Sequence, residues 1–415
     1  MVHMPPCPIC EGKRPFCIHK SYPLPRDFDL QKKISEKLSR EFFGPSYSVF
    51  VGHNNYPNLN VGPMSGFEVN PALDDPAKWF GLRYEKIIEL RSMLIRSKHR
   101  ENVFSKSKFI QEQQELAIAK KPTDTEIIFK KTPVYHFILS ESVQPMGPTG
   151  LLEKMKITEN VKVDVRVEKI VGDDTLANEA CYLLYSKGQD VYKISTILSS
   201  GILGLRNNKK LVPSRWTTTA SHDIISKYLI EKIKQFPSAN EYRIYSSQFL
   251  DNHFEVLLIP GNWEFENFET WAPGSNWNAQ TQSKSKPPAG FDASSNQSKY
   301  IPQIIPEYEP YEGRTAYAES QAGGYYASRL GVTEGLISLK RQARVVVFRE
   351  VYEGYCIPVG CWQILENVRN AFRQPCVKFG TKREAIDYVS EKLRIPISQY
   401  IKKSKILGQK KLLEF

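Results

Sequence analysis

Cys7, Cys10 and Cys17 crowd the first seventeen residues, and His19 follows directly behind them. Two thiolates separated by two residues can occupy two corners of a tetrahedron around Zn²⁺ from a single tight turn, and Cys17 supplies a third soft ligand. His19 is the natural fourth, although its spacing from Cys17 is tighter than zinc ligands usually show, and His3 is the fallback. Four protein ligands close a zinc site, so this metal would fold the head rather than act on a substrate. The plainer reading is a set of reduced surface thiols. Cys181, Cys356, Cys361 and Cys376 lie scattered in apolar surroundings and are expected as inert core thiols. An odd total of seven cysteines argues against a disulfide framework.

A second group of reactive side chains sits in glycine-flanked words further along. "FVGHNNYPNLNVGPM" places His53, Asn54 and Asn55 after a strand, where glycines let the backbone approach a ligand. "LVPSRWTTTASHD" sets Arg215, Trp216, His222 and Asp223 around an expected helix start, with Ser221 as its cap. "GGYYASRLGV" carries Arg329, and "FREVYEGYCIPVGCWQILENVR" carries Arg349, Glu350, Glu366 and Arg369. His53, Arg215, His222, Asp223, Arg329 and Glu350 are the candidate catalytic groups: arginines for phosphate, carboxylates for a metal, histidines for proton transfer. Which divalent metal would serve such a site is left open. Each also has a structural reading. Glu366 and Arg369 stand at the spacing of a helical ion pair, Asp223 suits a helix start, and Trp216 and Trp362 are expected in the core. No phosphate loop or dinucleotide fingerprint is present.

The elements that must position these groups alternate between helix and strand. Residues 28–42, 79–119, 174–187, 222–235, 320–343, 361–373 and 382–394 read as helices. The segments 47–52, 125–140, 161–171, 255–271 and 344–360 read as strands, several of them consecutive and hairpin-like. The fold class expected is α+β: a mixed, largely antiparallel sheet with flanking helices, a small N-terminal zinc knuckle and a flexible C-terminal tail. The organisation expected is a head over 1–25, an α+β core over 26–395 with a mobile loop or insertion at 275–300, and a basic tether over 396–415.

With 57 Lys+Arg against 45 Asp+Glu, the net charge of +12 favours polyanionic partners, nucleic acid first among them. Residues 391–415 concentrate part of that excess, with seven basic side chains against Glu391 and Glu414. No apolar run is long enough to span a bilayer and the start has no signal-peptide core, so a cytoplasmic, nucleoid-associated monomer without a membrane partner is expected.

Read in order, "SVFVG…YP…NVGPM", "PMGPTG", "LSSGILG…LVPSRWTTTA", "GGYYASRLGV", "LKRQARVVVFRE" and "PVGCWQILENVR" behind a cysteine-rich head resemble the archaeal Nre family of DNA repair proteins. The resemblance spans roughly 5–415. It implies a role in DNA damage repair, an N-terminal zinc motif and a C-terminal motif that docks on the sliding clamp, PCNA. The family head usually has a fourth cysteine, and none stands near Tyr22-Pro23, which raises His19 as the substitute.

The sequence ends on "QKKLLEF", which fits the clamp-peptide pattern Gln-x2-(Leu/Ile/Met)-x2-(Phe/Tyr). In one 3₁₀ turn, residues three apart eclipse, so Leu412 and Phe415 would form a two-pronged plug while Gln409 fixes the register. A second aromatic, usual in such peptides, is missing, so transient docking is expected. The upstream "SQYIKKSKILG" is expected to order only on binding. Three functions fit: a clamp-recruited enzyme acting on damaged DNA or a DNA adduct, a non-catalytic DNA- or lesion-binding adaptor, and an RNA-directed zinc protein.

Overall fold

The computed structural model describes residues 27–135, 144–273, 275, 278, 302–355 and 357–408. They group into two compact units: residues up to Ile225 form one, and those from Ser226 on, with Gln144, form the other. The stretch expected as one core over 26–395 therefore contributes to both. The class is α+β, as the alternation of helix and strand signals indicates.

The first unit is built on a closed five-stranded barrel. Its strands are β1 (Glu41–Val51), β2 (Asn58–Gly66), β3 (Leu94–Asn102), β4 (Thr123–Phe129) and β5 (Thr149–Ile157), in the order β1-β2-β3-β5-β4. β3 and β5 run parallel and every other pair is antiparallel, which is the connectivity of a Greek-key barrel. Helix α1 (Asp27–Lys37) precedes it, α2 (Tyr84–Ser92) leads into β3, and α3 (Lys108–Ile118) links β3 to β4. The lumen is filled by Val49, Val51, Leu59, Val61, Ile95, Ile127, Phe129 and Leu152, joined by Ile110 and Leu116 from α3. Inside it the Ser46 hydroxyl meets those of Ser65 at 2.7 Å and Thr125 at 2.8 Å, so these buried polar atoms satisfy one another. Gly62 is needed where β2 presses on β3, because a Cβ there would lie 1.7 Å from the Ser97 carbonyl oxygen.

Two segments differ from their sequence reading. Residues 79–119, expected as helix, contain β3 between α2 and α3, because Ile95 and Ser97 alternate inward against Arg96, Lys98 and Arg100. Residues 161–171, expected as a strand, contain α4 (Val165–Gly172) instead. The Asp164 side chain caps it by accepting from Arg166 N, and Val167, Ile170 and Val171 form its buried stripe. Helices α5 (Ala177–Ser186) and α6 (Val191–Ser199) follow. α7 then covers Ser214–Ile233, so Ser221, expected as its cap, lies mid-helix.

The second unit carries a six-stranded sheet of β6 (Tyr242–Phe249), β7 (Asn252–Ile259), β8 (Glu264–Trp271), β9 (Gln303–Glu309), β10 (Arg344–Val351) and β11 (Val377–Phe379). The order is β11-β6-β7-β10-β8-β9, with β10 and β8 parallel. Helices α8 (Gly323–Leu339) and α9 (Trp362–Arg373) pack against each other, and Gly331 and Gly335 make this possible: a Cβ on Gly335 would stand 2.5 Å from the Phe372 ring. On one sheet face Ser247, Asn252 and Asn267 hydrogen-bond to these helices. The other face presents Ile244, Leu257, Ile259, Phe268, Val346 and Phe348 to α10 (Lys382–Lys392), α11 (Ile397–Ile401) and the chain that follows.

That last packing corrects the tether. Tyr400, Ile406 and Leu407 are buried in the sheet's core, so residues 396–407 belong to the folded unit. Among the described residues no helix is long and apolar enough to cross a membrane. The segment 275–300 lies outside the described residues apart from Ser275 and Asn278, as do the head with Cys7, Cys10, Cys17 and His19, Cys356, and the motif with Gln409, Leu412 and Phe415. Burial pushes the Cys181 thiol up to about 12 and the Cys361 thiol up to about 11, which keeps both protonated and inert.

Candidate functional site

The candidate catalytic residues are divided between the two units. His53, Arg215, His222 and Asp223 belong to the barrel unit, and Arg329 and Glu350 to the sheet unit. Within the sheet unit those two are used on opposite faces.

Arg329 is fully buried on α8. Its Nη1 donates to Glu309 at 2.6 Å, its Nε donates to the Ser226 hydroxyl at 3.1 Å, and the rings of Tyr325 and Tyr326 lie 5.6 and 5.3 Å from it. Tyr325 donates to the same Glu309 carboxylate at 2.7 Å. On the same face Arg349 pairs with Glu269 and donates to Asn252 Oδ1 at 2.7 Å, while Asn252 also accepts from Gln363 at 3.3 Å. The ion pair anticipated between Glu366 and Arg369 is present at 2.7 Å, and Glu334 takes the other edge of that guanidinium at 2.7 and 2.8 Å. These are charges held in the interior by matched partners.

Glu350 is used on the other face. One carboxylate oxygen accepts from Ile395 N at 3.0 Å and the Tyr400 hydroxyl at 2.7 Å; the other accepts from Arg394 N at 2.8 Å and the Tyr352 hydroxyl at 2.7 Å. A carboxylate offers about four lone-pair sites, so this one has none left for a metal or a substrate proton. A second buried glutamate repeats the arrangement further along. Glu266 accepts from Lys405 N at 2.7 Å, from Ile406 N at 3.4 Å and from the Ser404 hydroxyl. Burial raises the Glu266 carboxyl above the usual glutamate range, and the bonds from Ser404, Lys405 and Ile406 partly oppose that. Together the two carboxylates fix residues 394–407 to the sheet, ending two residues before Gln409. Glu266 was not singled out from sequence, because the chain it holds lies about 140 residues away.

The barrel unit presents the opposite condition. His53 and Tyr56 stand in the loop between β1 and β2, and both are exposed. Arg215 and Trp216 are exposed in the first turn of α7, where the Ser214 hydroxyl accepts from Val51 N at 2.9 Å and ties the helix start to the end of β1. Trp216, expected in the core, is 50% exposed; Tyr56 is 48% exposed, and their ring centroids are 6.0 Å apart. His222 is buried further along α7 and Asp223 is half-buried beside it, so neither joins this rim. Next to the loop, β3 turns Arg96, Lys98 and Arg100 outward. Reading that stretch as helix hid these residues, although basic side chains at every second position were the available signal.

Among the described residues no group of three or more His, Cys, Asp or Glu is placed to hold a metal ion.

The family model for the N-terminal region of archaeal Nre matches residues 16–278, and that for the C-terminal region matches 309–415. The chain is 36% identical to the DNA repair protein NreA of Haloferax volcanii over 90% of its own length and 89% of that protein's. It is 32% identical to the DNA repair protein NreB of Archaeoglobus fulgidus, with 99% of each covered, and 32% identical to the NreA of the same organism, with 93% of each covered. No solved structure matches. The chain belongs to the archaeal Nre family.

Proposed function

We propose that this protein works in DNA repair, is brought to DNA by docking residues 409–415 on the sliding clamp PCNA, and acts there as a binding adaptor. The repair role follows from the names of relatives that match nearly its whole length. The observation that carries the docking reading is the carboxylate-held segment 394–407. A peptide that follows directly on a fixed point loses less freedom on binding than one on a long tether. Leu412 and Phe415 would fill the clamp pocket, with Gln409 hydrogen-bonding beside it.

The adaptor reading is favoured over an enzyme by the saturated state of Glu350, whose two oxygens already accept four hydrogen bonds, and by the burial of Arg329 against Glu309 and Ser226. The head would serve as a structural zinc knuckle through Cys7, Cys10, Cys17 and His19. Metal analysis of the purified protein is expected to find about one zinc per chain; a metal-free, fully folded protein would remove that part.

The docking claim is tested by calorimetric titration of the clamp. Deleting 409–415 is expected to abolish measurable binding, and Phe415→Ala to weaken it roughly thirtyfold, the scale of an interface anchor. Undiminished affinity after the deletion would overturn the reading.

A further inference from the structure

We infer that the outer face of β2 and β3, together with the Tyr56–Trp216 rim, binds single-stranded DNA, with phosphates on Lys98 and Arg100 and bases on the two rings. The choice of DNA over RNA rests on the repair reading above; the location of the surface does not.

The register sets the charge pattern. β3 points Ile95 and Ser97 into the barrel and Arg96, Lys98, Arg100 and Asn102 out of it. Outward on β2 are Asn58 opposite Asn102, Asn60 opposite Arg100 and Met64 opposite Arg96, so no acidic side chain stands in the two rows. Glu101, the nearest acid on β3, faces the other way and accepts from the Ser107 hydroxyl at 2.9 Å. Successive outward residues on a strand are about 6.7 Å apart, comparable to the phosphate repeat of an extended nucleotide chain.

Arg96 lies in the field of Asp74 and donates to Met146 Sδ, but the two cations beyond it are left over. Elsewhere on the same unit basic side chains are paired, Arg40 with Glu153 at 2.9 Å and Arg166 with Asp164 at 2.7 Å. Lys98 and Arg100 have no ion-pair partner among the described residues. Partial burial, with the Arg96 charge added to it, pushes the Lys98 amine down, and a bound anion would oppose both effects.

The aromatic part stands at one end of the same rows. Tyr56 and Trp216 expose about half of their surfaces, and Phe104, just past β3, is 60% exposed. The loop is held to β3 by Val103 N donating to the Pro57 carbonyl at 2.9 Å and by Asn102 Nδ2 donating to Asn58 Oδ1 at 3.1 Å. Exposed flat rings beside a basic track gain energy from unstacked bases and little from a duplex, whose base faces are already covered. Barrels of this connectivity also carry extended ligands across their second and third strands and the loop between the first two.

The test is fluorescence anisotropy of the full chain with a labelled single strand of about 15 nucleotides, enough for one barrel, alongside the matching duplex and RNA. Wild type is expected to bind the DNA single strand best. Trp216→Ala is expected to lower that affinity roughly tenfold, the scale of one lost stacking platform, with Trp216→Phe restoring most of it. Lys98→Ala with Arg100→Ala is expected to lower it by at least about tenfold at low salt. Removing the same charge from β5, with Lys154→Ala and Lys156→Ala, is expected to leave affinity within about twofold. Indifference to the Trp216 and Lys98/Arg100 substitutions, a preference for duplex or RNA, or an equal loss from the β5 pair would overturn the inference. Clamp affinity measured on the same variants separates the two claims: it is expected to stay at the wild-type value, and intact clamp binding with barrel variants indifferent to DNA would sink this surface while leaving the docking claim standing.

Discussion

The charges that the sheet unit spends on its own packing contrast with those at the rim and the far end of β3 in the barrel unit. In the sheet unit Arg329, Arg349, Glu350 and Glu266 are buried or nearly so, and their hydrogen-bonding edges meet partners from other elements. In the barrel unit Arg215 and Trp216 at the rim and Arg100 on β3 are exposed, and the half-buried Lys98 has no ion-pair partner among the described residues. A saturated charge specifies how the chain packs; an unsaturated one beside exposed rings is available to something else. Residue type alone does not distinguish the two, and satisfaction does.

That comparison breaks most visibly at Glu350. Glu350→Ala removes the acceptor for two backbone amides and two tyrosine hydroxyls, and is expected to cost about 3–5 kcal/mol, read as a large drop in the denaturant midpoint. Survival of the wild-type midpoint would show that residues 394–407 are not held as described. Arg329→Met strands the Glu309 carboxylate in the interior and is expected to cost about 3 kcal/mol or more. Adding Glu309→Gln should recover part of that loss, since the uncompensated charge is then gone; no recovery would mean that the pair was not the cause.

Glu266 gives a smaller effect with a pH signature. Its folded carboxyl lies above the unfolded value of 4.5 because burial penalises the anion. Between the two values the folded state holds a proton that the unfolded state has released. This contribution to stability is therefore fully present below the unfolded value and is lost as pH rises through the folded one. Melting curves from pH 4 upward should show a shallower decline in Glu266→Gln than in wild type. The same variant should cost about 1–2 kcal/mol at neutral pH, because an amide presents a donor where both oxygens had accepted. Trp216→Ala and Lys98→Ala stand at the other end of the series: both are expected within about 0.5 kcal/mol of wild-type stability, because neither side chain is enclosed. A large loss from either would make it a structural residue and erase the contrast.

Sequence reasoning reached the barrel's rim and misjudged its track. The loop with His53 and Tyr56 was legible because glycines, asparagines and a proline between two strands mark a turn that carries polar groups. β3 was not, since "LIRSKHREN" has few β-branched residues and enough charge to pass for an amphipathic helix, and only barrel closure makes it a strand. The Glu366–Arg369 pair was legible because it is local. Glu350 and Arg329 looked reactive because their partners, Tyr400, Ile395 and Glu309, come from distant parts of the chain. The segment after Pro396 read as a tether for the same reason, since its burial depends on Glu266, in a strand far upstream.

The most direct test of the contrast is the salt dependence of single-stranded DNA affinity, compared between wild type and the variant with both Lys98→Ala and Arg100→Ala. Each phosphate contact contributes roughly 0.7 to the slope of log affinity against log salt on a single strand, so the double variant should be shallower by about 1.4. An unchanged slope, with wild type binding normally, would contradict the assignment of these two cations to DNA and with it the division between a self-satisfied sheet unit and a ligand-facing barrel.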